Sequence, residues 1–362
     1  MQKKLLFDAK GSQPYTEKGR SSFSVLRFLN NGRNLSILAI CLLLSFSACG
    51  GGGGGSNNGA TSVSAPIPDP TSWTAVSGSA STFGISGIMS IAYGGGKFVA
   101  VGVSGKMAYS PDGETWTAVS DSTFAGNMIT GIACGGGKFV AVGVSGKMAY
   151  SSDGETWTAV SDSTFAGNPI NGIAYGGGKF IAVGAGVTMA YSTDGETWTA
   201  VSGSASTFGT SGIDGIAYGG GRFVAGGYDG TMAYSADGGE TWAAVSDSKF
   251  GITLIRAIAY GGGKFVAVGD DGTMAYSTDG GETWTAVDDS KFGTNMIAGI
   301  AYGGGKFVAV GANGMMTYST DGENWTAVDS KFGTHVIWGI ACGGGKFVVV
   351  GVLGNMAYSA TL

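Results

Sequence analysis

Short apolar runs separated by polar turns make up the chain from about residue 71 onward. The runs are rich in Val, Ile, Phe, Tyr, Thr and Trp, and the turns are rich in Gly, Asp and Ser. No stretch shows the 3.6-residue apolar spacing that is typical of an amphipathic helix. The pattern therefore predicts an all-β protein of short strands joined by tight turns.

The pattern repeats seven times. Its glycine triplets begin at Gly94, Gly135, Gly176, Gly219, Gly261, Gly303 and Gly343. The period is therefore 40 to 43 residues, which is typical of four-stranded propeller blades. In the second unit we predict strands A to D over Ile129 to Cys134, Lys138 to Gly143, Lys147 to Ser151 and Thr156 to Val160.

The two ends of the repeat array complement each other. Thr71 to Val76 has the sequence of a strand D with no strands A to C before it, whereas the last unit ends with strand C at Met356 to Leu362. A lone blade would expose two apolar faces and two edges, so blades must stack and the circle must close. We predict a seven-bladed β-propeller of four-stranded antiparallel blades over residues 71–362, closed by strand 71–76 pairing into the last blade.

The N-terminal region has the features of an export signal. An apolar run over Leu35 to Ala48, too short to span a bilayer comfortably, precedes Cys49. Phe46 to Cys49 resembles the small-residue box before the lipidated cysteine of bacterial lipoproteins. The resemblance implies a signal peptide over 1–48, a lipid on Cys49 and a protein anchored in the cell envelope or at the cell surface. An uncleaved membrane anchor would give the same topology. The Gly-, Ser- and Pro-rich segment 49–70 predicts a flexible tether.

Charge and cysteine content exclude several classes of protein. From Cys49 onward there are 13 Lys and Arg against 23 Asp and Glu, a net charge of −10 without a basic stripe, so we expect no nucleic-acid partner. Cys134 and Cys342 occupy the same place in two units that have one blade between them. This separation exceeds disulfide distance, so we predict two buried free thiols. We expect a monomer with no cofactor and no metal site. Weak calcium binding by Asp270 and Asp271 is an alternative to a simple charged turn.

The turn between strands C and D resembles a known motif. SADGGETW (Ser235 to Trp242) and STDGGETW (Ser277 to Trp284) fit the Asp-box or BNR pattern, and four other turns are one residue shorter. Similar repeats occur in sialidases and photosystem assembly factors. The resemblance implies a propeller whose turn aspartates accept hydrogen bonds from backbone amides while the Trp packs between sheets. These aspartates are Asp112, Asp153, Asp194, Asp237, Asp279 and Asp321.

Enzymatic activity is not our first expectation. Sialidases grip the substrate carboxylate with three arginines, but only Arg222 and Arg256 lie within residues 71–362. Another glycoside hydrolase would need only two suitably spaced carboxylates. The candidates for such a pair are Asp214, Asp229, Asp270 and Asp271. The cations of the glycine turns could dock an anionic partner, but we expect them to balance the acids of the C-to-D turns.

Comparison of the seven units shows where they differ. The first variable place lies at the start of strand A and holds Met89, Thr130, Asn171, Asp214, Arg256, Ala298 and Trp338. The second is the B-to-C turn, which includes Tyr228, Asp229, Asp270, Asp271 and Asn313, with His335 in a neighbouring D-to-A connection. Alternate turns of an antiparallel blade fall on alternate rims, so both places share one rim. We therefore predict a candidate binding site at the mouth of the central channel.

The residue types at this rim suit several ligands. Trp338 could stack on a sugar ring, Asn171 could hydrogen-bond it, and Arg256 could hold a ligand carboxylate or neutralise Asp214. We predict a non-catalytic module that binds a glycan or a peptide through this rim. An envelope assembly scaffold and a glycoside hydrolase are the alternatives, and neutral drift is a further explanation of the variation.

Overall fold

A computed structural model describes residues 68–78, 82–209 and 212–361, which form seven four-stranded antiparallel sheets. The predicted seven-bladed propeller is confirmed. The predicted signal peptide, Cys49 and the tether up to residue 67 lie outside the described residues. Within those residues, no helix combines the length and apolar character needed to cross a membrane.

The strands recur in the same order in every blade. Strand A, which contacts strand A of both neighbouring blades, is β2 Ile88–Gly94, β6 Ile129–Gly135, β10 Ile170–Gly176, β14 Ile213–Gly219, β18 Ile255–Gly261, β22 Ile297–Gly303 and β26 Ile337–Gly343. Strand B is β3 Lys97–Gly102, β7 Lys138–Gly143, β11 Lys179–Gly184, β15 Arg222–Gly227, β19 Lys264–Gly269, β23 Lys306–Gly311 and β27 Lys346–Gly351.

The outer half of each blade is less regular. Strand C is β4 Met107–Ser110, β8 Met148–Ser151, β12 Met189–Ser192, β16 Met232–Ser235, β20 Met274–Ser277, β24 Met315–Ser319 and β28 Met356–Thr361. Strand D is β5 Thr117–Ala118, β9 Thr158–Ala159, β13 Thr199–Ala200, β17 Ala243–Ala244, β21 Thr285–Ala286, β25 Thr326–Asp329 and β1 Pro68–Ala75. A short helix, α1 Ser204–Phe208, lies between blades 3 and 4.

Strands B and C are joined by a 3₁₀ turn in every blade. These turns are Val103–Gly105, Val144–Gly146, Ala185–Val187, Tyr228–Gly230, Asp270–Gly272, Ala312–Gly314 and Val352–Gly354. In the second blade, strand C begins at Met148 instead of the predicted Lys147, because the Lys147 amide closes the turn on the carbonyl of Val144. Strand D begins at Thr158 instead of Thr156, because the Thr156 amide is bound by Asp153.

The ring is closed by strands from the two ends of the array. Strand β1 pairs antiparallel with β28, and the last sheet has the order β1-β28-β27-β26. Trp73 lies opposite Ser359, and the Val76 amide donates to Met356 O at 2.9 Å. The predicted closure is confirmed. The strand starts at Pro68, inside the segment that we predicted as tether.

The core lies between the sheets. In strand B both faces are covered by neighbouring blades, so consecutive residues such as Phe139 to Val142 are all buried. At the end of strand A, a Cβ on Gly135 would lie 2.0 Å from the ring of Tyr175 in the next blade. At five of the seven blade interfaces, neighbouring blades therefore touch through a glycine on one side and a tyrosine ring on the other.

Two blades have cysteine where the other five have this tyrosine. Within the described residues neither Cys134 nor Cys342 forms a disulfide, and burial raises the pKa of Cys342 to about 12. Cys134 is buried, as predicted, but Cys342 is only half-buried. The five tyrosines at the corresponding position are half-buried as well. Partial exposure is therefore common at this end of strand A and is not peculiar to Cys342.

Candidate functional site

One rim of the propeller is made of the glycine turns and the C-to-D turns, and we call it the repeated rim. In the second blade, Asp153 Oδ1 accepts hydrogen bonds from the amides of Glu155 and Thr156, each at 2.8 Å, and from Ser151 Oγ at 2.9 Å. Equivalent bonds form at Asp112, Asp194, Asp237, Asp279 and Asp321. Amide donors at Thr197 and Glu196 lower the pKa of Asp194 to about 2. The turn aspartates thus stabilise the turns themselves.

Ion pairs link neighbouring blades along the repeated rim. The cation of a glycine turn reaches a glutamate in the C-to-D turn of the next blade, as Lys264 Nζ does at 2.7 Å from Glu323 Oε1. The other pairs are Lys97–Glu155, Lys138–Glu196, Lys179–Glu240, Arg222–Glu282 and Lys346–Glu114. Because these cations are already paired, they do not form a free basic ring.

The glycine turn of the sixth blade lacks this ion pair. Within the described residues, no carboxylate lies within 4.0 Å of Lys306. The next C-to-D turn is replaced by the start of β1, where Asp69 takes the aspartate position and accepts from the Thr71 amide at 3.0 Å. Thr71 itself occupies the place of the missing glutamate.

The opposite rim, which we call the variable rim, is made of the B-to-C turns and the D-to-A connections. The Tyr228 amide donates to Gly212 O at 3.0 Å, which joins a B-to-C turn to the connection before its own blade. Ser248 Oγ donates to Gly230 O at 2.7 Å, which joins the same turn to the connection after it. The two variable places therefore share one rim, as the strand order predicted.

Each variable residue of strand A is the extra residue of a β-bulge. In the third blade Ile170 pairs with Gly184 and Gly172 pairs with Val183, so Asn171 stands outside the ladder. The same shift occurs at Met89, Thr130, Asp214, Arg256, Ala298 and Trp338. We call these seven residues the bulge ring. A bulge re-aims its side chain without changing the sheet, so its identity is free of the pairing that constrains strand A.

The bulge ring is largely closed. Six of its side chains are buried, and Trp338 alone is partly exposed. The residues that follow the bulges are small, and a Cβ on Gly215 would lie 3.1 Å from the carbonyl oxygen of Arg256. Because the inner strands approach so closely, six of the seven side chains at the predicted site are buried between the blades and do not line an open pocket.

Polar members of the bulge ring bind the next blade. Thr130 Oγ1 donates to Ile170 O at 2.5 Å, and Asn171 Nδ2 donates to Asp214 Oδ1 at 2.7 Å. Arg256 does not pair with Asp214. Its Nε and Nη2 atoms form a bidentate pair with Asp270, in which Nη2 lies 2.9 Å from Oδ2.

The polar part of the ring is incompletely hydrogen-bonded. Within the described residues, Asn171 Oδ1, Asp214 Oδ2 and Arg256 Nη1 are buried without a hydrogen-bond partner. Burial raises the pKa of Asp214 to about 7, although the charge of Arg256 and the hydrogen bond from Asn171 oppose the shift. Such unpaired buried groups are rare in native proteins. They distinguish blades 3 to 5 from the rest of the ring.

The outer candidates lie where the strand order placed them. Tyr228, Asp229, Asp271 and His335 are exposed, and Asp270 is partly exposed. Asn313 Nδ2 donates to Asn295 Oδ1 at 2.8 Å. Within the described part of the chain, no group of three or more His, Cys, Asp or Glu side chains is arranged to hold a metal ion.

Sequence reasoning missed three exposed apolar side chains on the variable rim. Ile85 and Ile252, each 88% exposed, lie in D-to-A connections, and Leu353, 47% exposed, lies in a B-to-C turn. Together with Tyr228 they are all the exposed large hydrophobic residues among those described. A signal was present, because the positions that correspond to the two isoleucines hold Gly or Thr in other connections, as at Gly126.

A cleft of about 390 Å³ lies between the outer strand of blade 5 and the C-to-D turn of blade 6. It is lined by strand β21 and the residues after it, and by Glu323 to Trp325 of the next C-to-D turn. None of the bulge ring contributes to its wall.

Comparisons with known proteins support the fold. Residues 204–335 match the model of the DUF6242 beta propeller domain, and no curated protein sequence matches the chain. Among solved structures, "YCF48 bound to D1 peptide" is 17% identical with a TM-score of 0.64, covering 83% of this chain and 100% of that one. YCF48 from Cyanidioschyzon merolae is 19% identical with a TM-score of 0.63, covering 80% and 98%. The streptogramin B lyase structure is 13% identical with a TM-score of 0.64, covering 76% and 94%. At such identities the likeness shows the fold alone.

Proposed function

We propose that this protein is a non-catalytic module that binds a peptide or an exposed segment of a protein through its variable rim. One observation carries the proposal. The exposed large apolar side chains of the described residues, Ile85, Tyr228, Ile252 and Leu353, all lie on this rim. They lie at two places on it, Ile85 and Leu353 at blades 7 and 1, and Tyr228 and Ile252 at blades 4 and 5. Exposed apolar patches are typical of interaction surfaces. On the repeated rim, by contrast, most of the charged groups are paired with one another.

The exposed chemistry favours a peptide over a glycan. Three of the four side chains are aliphatic, whereas sugar rings are commonly held by aromatic stacking together with polar groups. In the bulge ring Asn171, which we considered as a hydrogen-bonding partner of a sugar, is buried, and only Trp338, which we considered for stacking on a sugar ring, is partly exposed. The solved structure "YCF48 bound to D1 peptide" has a similar fold, which supports this choice by analogy of fold only.

A glycoside hydrolase is less well supported. The acids available for such a reaction include Asp214, which is fully buried, and Asp270, which is held by Arg256. Streptogramin B lyase shows that the fold also occurs in an enzyme, so the fold does not decide the question. We expect no turnover of a panel of chromogenic glycosides, and hydrolysis that is lost in Asp270→Asn would contradict the proposal.

We further propose that the propeller acts outside the cytoplasmic membrane, attached through a lipid on Cys49. The motif Phe46 to Cys49 supports this proposal. Metabolic labelling with a palmitate analogue tests it, and we expect Cys49→Ser to abolish both the label and membrane association.

The binding function is tested by probing peptide and glycan arrays with the full-length chain. A variant with serine at the four exposed apolar positions of the variable rim is compared with a control that has glutamine at Lys97, Lys138, Lys179 and Lys264 on the repeated rim. We expect specific peptide signals that the first variant loses and the control keeps. Glycan signals alone, or peptide signals lost equally in both folded variants, would contradict the proposal.

A further inference from the structure

The polar side chains of the bulge ring in blades 2 and 3 share one type of hydrogen bond. Thr130 Oγ1 donates to Ile170 O at 2.5 Å, and Asn171 Nδ2 donates to Ile213 O at 3.0 Å. In both cases the acceptor is the carbonyl oxygen of the residue just before the bulge of the next blade. These two ring residues therefore act as donors that attach one blade to the next.

Asp214 holds the corresponding position in blade 4, where the corresponding acceptor is Ile255 O. Blades 4 and 5 approach closely at this level, because a Cβ on Gly215 would lie 3.1 Å from the carbonyl oxygen of Arg256. Asp214 Oδ1 accepts from Asn171, and within the described residues Oδ2 is buried without a hydrogen-bond partner. An ionised carboxylate cannot donate to a carbonyl oxygen, whereas a protonated carboxyl group has one O–H donor. Only a neutral Asp214 can therefore make the hydrogen bond that its neighbours in the ring make.

The pairing of Arg256 also indicates that Asp214 is neutral. The charge of Arg256 acts on Asp214 from the next blade. Arg256 nevertheless uses Nε and Nη2 for Asp270, in the turn of its own blade, and in the described part of the chain its Nη1 is buried without a partner. An ionised carboxylate at Asp214 would attract this free N–H group, because an unpaired buried charge is costly. The arginine pairs instead with the carboxylate that is partly exposed.

The surroundings of Asp214 connect its proton to Arg256. Burial raises the pKa of Asp214 to about 7, the charge of Arg256 and the hydrogen bond from Asn171 oppose this shift, and the charge of Asp270 supports it. Strand β10 and the turn Ala185–Val187, which also pack against β14, carry no charged residue. The other charged side chains on elements packed against β14 lie at the repeated rim or in an exposed turn. They are Lys179 of β11, Arg222 of β15 and Asp229 of the turn after β15.

We infer that Asp214 is a proton switch that controls the blade 5 turn of the variable rim. In its neutral form Asp214 donates to Ile255 O and leaves Arg256 paired with Asp270. When the proton passes to solvent, the carboxylate repels the Ile255 carbonyl and draws Arg256 toward itself. The turn Asp270–Gly272 then loses its attachment to strand A. The switch adds pH dependence to the variable rim and does not depend on what the rim binds.

The blade 6 turn supplies a control within the same molecule. Ala312–Gly314 is a 3₁₀ turn like Asp270–Gly272, and its first amide donates to the preceding connection at 3.0 Å, against 3.1 Å in blade 5. Its bulge residue is Ala298, which carries no charge. A pH effect that is confined to the blade 5 turn therefore reports the ion pair and not the turn itself.

Infrared spectroscopy of the full-length chain tests the protonation directly. The C=O stretch of protonated carboxyl groups is recorded for the wild type and for Asp214→Asn between about pH 5 and about pH 9, where ordinary carboxyl groups are ionised. We expect a carboxylic acid band in the wild type that disappears with a midpoint at about pH 7. We expect no such band in Asp214→Asn. A wild-type spectrum without this band, or a band that remains in the variant, would overturn the inference.

Hydrogen exchange of backbone amides then measures the turn. The amides of Asp270 and Thr273 are hydrogen-bonded in the structure. In the wild type we expect their protection, corrected for the intrinsic pH dependence of exchange, to fall about tenfold between about pH 6 and about pH 8. In Asp214→Asn, whose side-chain amide donates at either pH, the protection should stay high. Asp270→Asn, which breaks the outer ion pair, should give low protection at both pH values.

Two outcomes of the exchange measurement contradict the inference. One is a fall of equal size in the blade 6 turn, and the other is a fall of equal size in Asp214→Asn. The comparison of the two turns within the wild type needs no variant, so it decides the question also where a substitution prevents folding. Neither measurement uses a ligand, and failure of the inference therefore leaves the proposed binding function unaffected.

Discussion

The repeated rim and the bulge ring lie at opposite ends of the same strands, and they differ in how their side chains are paired and in how much their sequences vary. On the repeated rim most polar side chains have a partner in their own turn or in a neighbouring blade, as Asp153 and Glu155 do. In the bulge ring each side chain stands outside the ladder, and Asn171 hydrogen-bonds to Asp214 at the bulge of the next blade. The sequence of the repeated rim is almost the same in every blade, whereas the residue of the bulge ring is different in each of the seven blades.

The contrast shows that variation and exposure are separate properties. The ring varies because a bulge frees its residue from strand pairing, yet Asn171 and Asp214 are almost fully buried. Changes at the buried ring residues alter the interior of the propeller. A binding partner can contact only the exposed turns and connections around them.

The largest effect expected comes from the charge buried in the ring. Asp214→Asn keeps an acceptor for Asn171 and removes an acid whose pKa is raised from 3.8 to about 7. Between these pH values the folded state binds more protons than the unfolded state, so the stability of the wild type falls as the pH rises. Denaturant unfolding should show the Asp214→Asn variant more stable than the wild type at about pH 8, by up to about 4 kcal/mol, and little changed near pH 4. Asp271→Asn, at an exposed site, is the control. If the Asp214→Asn variant were more stable than the wild type by the same amount at every pH, the gain would not come from the charge of Asp214.

The next effect concerns contact between blades near the repeated rim. Gly135→Ala places a Cβ about 2.0 Å from the Tyr175 ring, so the blades must separate, and we expect a loss of about 3 kcal/mol. Gly137→Ala meets no neighbour but keeps a φ of 79°, which should cost about 1 kcal/mol. Equal losses in the two variants would show that backbone conformation, and not the contact, is decisive.

A smaller effect tests whether the repeated rim is uniform. Asp153→Ala removes the acceptor of two amides and of Ser151, and we expect it to lower the free energy of unfolding by about 2 kcal/mol. Asp153 Oδ2 also accepts from Thr156 Oγ1, and Asp321 Oδ2 accepts from Asn324 Nδ2, so Asp321→Ala should give the same loss as Asp153→Ala. Asp112 accepts the two amides and Ser110 Oγ only, so Asp112→Ala should cost less. Equal losses in all three variants would show that the bond to Oδ2 contributes nothing to stability.

The smallest effect completes the repeated rim where it is interrupted. Thr71→Glu supplies the carboxylate that Lys306 lacks, and Thr71→Gln is the uncharged control. The ion pair should raise stability over the control by about 0.5 kcal/mol, and the gain should disappear in high salt. No difference at low salt would mean that the start of β1 cannot reach Lys306.

The fold could be predicted from the sequence because the features that specify it are local sequence patterns. Glycine turns and apolar runs give the strands, and the unmatched segments at Thr71 and Met356 give the closure. The bulges were not readable, because an extra residue is defined only against the partner strand, as Asn171 is against Gly184 and Val183. For the same reason Arg256 was assigned to a ligand or to Asp214, whereas its partner is Asp270 in the turn of its own blade.

The candidate site was predicted only in part. The shared rim follows from strand order, but burial depends on how closely the inner strands approach, which small residues such as Gly215 determine in three dimensions. The exposed Ile85 and Ile252 could have been found as departures from the Gly and Thr of other connections. Without the packing, however, an isoleucine in a connection is as readily assigned to the core.

The closure has a genetic consequence. Since β1 is the strand D of the last sheet, each D-A-B-C unit counted from β1 supplies the outer strand of the blade before it. Unequal crossing-over between any two copies therefore removes or adds a whole unit and leaves the terminal strands complementary. One recombination event can therefore change the number of blades that the gene encodes. The number that folds into a closed ring is then limited by how many blades can pack around one central channel.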